Sequence, residues 1–132
     1  MLCAEGQTLM YTQHMQKIFL WLLTFSWAGF TLYLTTIPNF SPSPDTIFSW
    51  IISNGGHFFF FGVLAFFLNL SLLQFSIFNV LYSLVPVSLY GLAIEFIQIN
   101  IPGRSYDLKD WALDTLGAII FVYILKKYSK SI

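Results

Sequence analysis

Glu95, Gln98, Arg104, Asp107, Asp110 and Asp114 crowd into the twenty positions "EFIQINIPGRSYDLKDWALD", which hold four of the chain's six acidic residues and two of its six basic ones. Carboxylates in such company can hold a cation, move a proton or pair with a guanidinium. At about 100° per residue, Asp107, Asp110 and Asp114 fall within an arc of about 60°, one acidic stripe on a helix. The start "DLKD" places Asp107 at a helix N-cap with Asp110 three residues on, in the manner of a capping box, and a first-turn Asp suits the positive end of the helix dipole. Asp107 therefore has a structural role ready for it, and Asp110 is left open.

Arg104 lies in the "NIPGRS" turn, where Pro102 and Gly103 set the reversal. Its planar guanidinium can lock a helical hairpin by pairing with Glu95 or Asp110, or it can hold an anionic group such as a phosphate. Both readings stand on the same residues. His57, in "GGHFFFFG", opens an earlier apolar run.

The elements that must position these groups are membrane helices. Only 9% of residues are charged, 57% are hydrophobic and 20% aromatic, and the mean hydropathy is +0.72. A soluble domain averages about 25% charged residues, so lipid is the better solvent for this chain. The net charge of zero removes any argument for nucleic acid. A single cysteine, Cys3, excludes an intrachain disulfide framework.

Windows of roughly 20 apolar residues, enough to cross a bilayer core, predict four spans: Ile18 to Ile37, about Gly56 to Leu73, Ile77 to Ile99, and about Asp110 to Leu125. The fold class expected is an all-α integral membrane bundle of four transmembrane helices. Pro86 falls inside the third span and is read as shape, not as a boundary. Between the first two spans, "DTIFSWIIS" is either a short interfacial helix or an irregular loop with Trp50 buried. Residues 1–17 read as a tail, disordered or a misassigned start with Met15 as the alternative; 18–125 form the membrane domain and 126–132 a basic tail. Lys17, Lys126, Lys127 and Lys130 share one side against Arg104 and Lys109 on the other, which predicts a multi-pass protein of the cell membrane with both termini in the cytoplasm.

That topology brings His57, Glu95, Gln98, Arg104, Asp110 and Asp114 to one outer side. Glu95 and Asp114 each lie about one turn, roughly 6 Å, inside their spans. Acids at such depth are costly, and a functional site is the default reading. Gly91 one turn before Glu95 and Gly117 three residues after Asp114 predict close packing of the third span on the fourth. Thr24, Ala28, Thr31 and Thr35 give the first span a small, polar face for packing within the bundle or between chains.

The order E-x-x-Q, a Pro-Gly-Arg-Ser turn, D-x-x-D, then Asp114 and Gly117, resembles the VanZ-like family of bacterial membrane proteins. "HF" at 57–58 resembles the family's second-span motif. Ser53 and Asn54 stand where the family carries an Asp-Lys pair, Phe61 replaces a Tyr, Asp114 a usual Asn, and Phe121 a second Gly. The resemblance implies a four-helix membrane unit, and the family's name-giving member is associated with resistance to the glycopeptide teicoplanin.

Three functions follow as expectations. The first is a non-enzymatic envelope protein whose outward polar site binds a lipid headgroup or another amphipathic or lipid-linked ligand. The second is a membrane enzyme in which Glu95, Asp110 and Asp114 hold Mg²⁺, Arg104 clamps phosphate and His57 serves as general acid or base. The third is a structural or accessory subunit. No Gly-rich phosphate loop, H-E-x-x-H or G-x-S-x-G is present, which weighs against the enzyme.

Overall fold

The computed structural model describes residues 2–38, 47–72 and 79–129. Four helices make up these residues: α1 (Leu2–Thr36), α2 (Ile47–Leu72), α3 (Asn79–Gln98) and α4 (Leu108–Ser129). Among the described residues there is no strand. The helix α1 begins at Leu2 and so continues through residues 2–17, which the sequence suggests are a tail. The segment Ile47–Ser53 forms the first turns of α2 and is not a separate helix. The prolines at 42 and 44, the start of the third predicted span at 77–78, the side chain of Trp50 and Lys130 lie outside what is described.

Among the described residues, three stretches are long and apolar enough to cross a membrane: Tyr11–Thr36, Ser53–Leu72 and Val80–Gln98. The helix α4 is not among them, since Asp110 and Asp114 near its start and Lys126 and Lys127 in its last turn shorten the uncharged run. Its outward face is apolar nonetheless, with Leu116, Ile119, Tyr123 and Ile124 exposed. On α1, Phe19, Leu22 and Phe25 are each at least 60% exposed, a surface suited to lipid and not to water. The helix α3 runs unbroken through Pro86.

Phe61, Leu64, Ala65, Val87, Ile94, Ala118 and Val122 form the buried core. In lipid such contacts gain little from water exclusion, so close approach and interhelical hydrogen bonds carry the association. A Cβ at Gly117 would fall on the Phe58 carbonyl, so this glycine lets α4 cross directly over the α2 backbone. The expectation that Gly117 serves the α3–α4 contact is thereby corrected; Gly91 serves it, its missing Cβ lying 2.9 Å from Asp114 Oδ2. Phe121 lies over Gly62, which has no side chain to oppose it.

Interhelical hydrogen bonds then pin the bundle. Trp27 Nε1 donates to the Phe60 carbonyl at 2.9 Å and Tyr90 Oη to the Ala28 carbonyl at 2.7 Å. Thr24 and Ser71 hydroxyls meet at 3.1 Å, and Asn69 Nδ2 donates to Ser83 Oγ at 3.0 Å. The threonine face of α1 thus packs inward, with Thr24 and Thr31 both buried.

Candidate functional site

The α3–α4 connection is built as its residues predict. Arg104 N donates to the Ile101 carbonyl at 3.1 Å, with Pro102 and Gly103 between them and Gly103 at φ 77°. Proline at the first central position and a left-handed glycine at the second are the arrangement of a type II turn, and only glycine takes that φ without strain. Asp107 then caps α4: its Oδ1 accepts the Lys109 N–H at 2.9 Å, and its carbonyl accepts the Asp110 N–H at 3.1 Å.

The reciprocal half of the capping box comes from another helix. The Asp107 N–H donates to Glu95 Oε2 at 2.9 Å, so a carboxylate of α3 takes the part expected of Asp110. This bond carries Glu95, wholly buried, to the mouth of α4. Asp110 is thereby released from the cap and faces α2.

There it meets His57. The imidazole Nδ1 stands 3.0 Å from Asp114 Oδ1, and Nε2 stands 3.5 Å from Asp110 Oδ2. The two aspartates, one turn apart on α4, therefore grip the two edges of one ring. Phe61, one turn along α2, lies parallel to the imidazole with centroids 6.5 Å apart. His57, Glu95 and Asp114 each offer a ligand atom within 4.8 Å of the others. The metal set expected from sequence was Glu95, Asp110 and Asp114; the structure gathers His57 in place of Asp110.

The pairing leaves a remainder. Glu95 Oε1 and Asp114 Oδ2 are buried and make no hydrogen bond, though both residues are fully enclosed. A buried oxygen left unpaired costs about 1–3 kcal/mol.

Two predicted site residues reach α1. Gln98 Nε2 donates to the Thr35 carbonyl at 3.1 Å, and Arg104 Nη2 donates to the Leu34 carbonyl at 3.2 Å. Both satisfy the carbonyls that end α1. Burial pushes the Arg104 guanidinium down from its ordinary pKa, while the nearby charges of Asp110 and Glu95 act against that shift. Arg104 thus stands at the rim, with its electrostatic influence on the acids and a hydrogen bond to α1.

Sequence reasoning missed the layer beneath. Ser88 Oγ meets Thr115 Oγ1 at 2.9 Å, and Trp111 Nε1 donates to the Ser88 carbonyl at 3.0 Å. Ser88 lies two turns before Glu95 on α3, and Thr115 directly follows Asp114, so their positions beside the acids were the available signal.

The chain matches the VanZ/LLP1 family model over residues 5–129. No curated protein and no solved structure matches it. The match spans nearly the whole sequence, and the chain belongs to the VanZ/LLP1 family. With three helices suited to crossing a bilayer, it is a multi-pass membrane protein.

Proposed function

We propose that this VanZ/LLP1-family chain is an envelope protein of four bilayer-crossing helices, both termini cytoplasmic, whose outward site binds the polar head of a lipid or another amphipathic ligand. The site is His57, Glu95, Asp110 and Asp114, with Arg104 at the rim and Gln98 bracing α3 against α1. The observation that carries this reading is a surplus of polarity: ionisable groups from three helices converge inside a greasy bundle, and two buried carboxylate oxygens there lack partners. Packing alone calls for no such groups. By the resemblance to the family's name-giving member, a glycopeptide such as teicoplanin is one candidate ligand.

The test is native mass spectrometry of the protein extracted with its lipids, comparing wild type with the Glu95→Gln, Asp110→Asn double variant and with Ser71→Ala as a control in the opposite half. A ligand lost only from the double variant supports the reading. Equal ligand content in all three, with folding intact, refutes it.

A second reading has one observation in its favour. An imidazole held by a carboxylate at each edge is the arrangement of an oriented general acid or base, which suits a membrane enzyme acting on a phosphorylated or lipid-linked substrate. Turnover of such a substrate, abolished by His57→Gln, would select it over simple binding. The remaining possibility, an accessory subunit in a larger assembly, predicts a co-purifying protein and no small ligand.

A further inference from the structure

We infer that His57, Glu95 and Asp114 form a three-ligand site for a divalent transition-metal ion of the zinc type, with Asp110 orienting the histidine from behind. The inference stands apart from the headgroup reading, although a metal there would supply positive charge that an anionic headgroup needs.

Geometry comes first. Metal bonds of about 2.0–2.2 Å place neighbouring ligand atoms roughly 3.0–3.5 Å apart, and His57 Nδ1 and Asp114 Oδ1 are 3.0 Å apart. All three ligand atoms lie within 4.8 Å of one another, so a small rotation of Glu95 completes the set. Its Oε1 makes no hydrogen bond to hold it back.

The second observation is independent of that spacing. As an ion-pair cluster the site accounts for only one oxygen of each buried acid: Asp114 Oδ1 against His57, and Glu95 Oε2 on the Asp107 N–H. Asp114 Oδ2 and Glu95 Oε1 remain buried and unpartnered. Carboxylates that are 0% exposed need a compensating positive charge close by. A divalent cation provides it where a single imidazole is shared between two aspartates.

Asp110 supplies the third argument. Metal-bound histidines usually present their other ring nitrogen to a carboxylate, which fixes the tautomer and the ring's orientation. Asp110 Oδ2 stands at 3.5 Å from Nε2, the edge away from Asp114. Asp110 is therefore a positioning residue and not a ligand, which departs from the all-oxygen set that Mg²⁺ would prefer. One imidazole with two carboxylates suits a borderline ion, and three protein ligands leave a position open for an exchangeable group.

The experiment uses the full chain in nanodiscs, stripped with a chelator and then titrated with Zn²⁺ or Co²⁺. Metal content is read by elemental analysis and Co²⁺ ligation by visible absorption. One ion per chain is expected, with tetrahedral or five-coordinate Co²⁺ bands. His57→Gln and Asp114→Asn should abolish binding, while Asp110→Asn should keep the stoichiometry and weaken affinity about 10- to 100-fold. Helical circular dichroism reports folding of each variant, and Glu95→Gln, which keeps an acceptor for the Asp107 N–H, tests the third ligand without uncapping α4. Failure of folded wild type to take up either ion overturns the inference, as does uptake undiminished in His57→Gln. Ligand retained by chelator-stripped protein without metal uptake would sink the metal site and spare the headgroup reading; metal uptake without any bound amphiphile would do the reverse.

Discussion

The two halves of the bundle solve the same problem, burying polar groups in lipid, in different ways. In the half holding Thr24, Ser71, Asn69 and Ser83, the groups are neutral, and three hydroxyls also bond carbonyls of their own helices: Thr24 to Leu20, Ser71 to Phe67 and Ser83 to Val80. Each such hydroxyl is satisfied locally and links helices as a by-product. The half holding His57, Glu95, Asp110 and Asp114 lies about 18 Å away along α2. It is charged, its partners come from other helices, and two oxygens are left over. Neutral groups that bond at home serve as glue; charged groups that depend on tertiary partners and exceed them point to a ligand.

Substitutions test that contrast from its strongest point downward. His57→Leu removes the one group shared by Asp110 and Asp114, and loss of one partner from a buried pair costs about 3–5 kcal/mol. Denaturant titration of the detergent-solubilised protein should find this the most damaging change among those considered; a neutral effect would mean that the aspartates are not paired through the imidazole. Gly117→Ala drives a methyl into the Phe58 backbone, which cannot swing aside as a side chain can, so α4 must shift at a cost of about 1–3 kcal/mol. The same titration checks it, and ligand or metal binding should fall with it because His57 precedes Phe58.

Glu95 divides into two variants. Glu95→Ala leaves the Asp107 N–H without its acceptor and should cost about 1–3 kcal/mol. Glu95→Gln keeps that bond and should change stability by less while removing the site's charge. Similar losses in both would show that the charge, not the cap, carries the stability. In the neutral half, Thr24→Val removes one interhelical hydrogen bond, for which membrane proteins show an average of about 0.6 kcal/mol. A larger loss there than at Glu95→Ala would erase the distinction between the halves.

The helices and their junction were legible. Three of the four predicted apolar runs of span length, the "IPGR" turn and the Asp107 cap appear where the sequence puts them, the turn and the cap because each depends on neighbours within about five residues. The convergence of His57, ten residues into α2, with Asp110 and Asp114 followed from chain order, since alternating spans bring the start of the second apolar stretch and the start of α4 to one side. The partners of individual groups were not legible. Nothing in the local sequence signals the Arg104 hydrogen bond to the Leu34 carbonyl or the Gln98 hydrogen bond to the Thr35 carbonyl.

By itself the sequence determined that this chain is helical and greasy, that four of its six acidic residues and two of its six basic ones gather in one hairpin, and that glycine must stand at the turn. Only the tertiary structure decided that Glu95 completes the cap of α4, that Gly117 faces α2, and that His57 replaces Asp110 in the gathered metal-type set. The reason is rotational. In water an apolar stripe tells which side of a helix points inward, but in lipid the inner and outer faces are about equally apolar. The rotation of each helix about its axis, and with it every long-range partner, is then set by where small residues let backbones meet and where buried polar groups find one another.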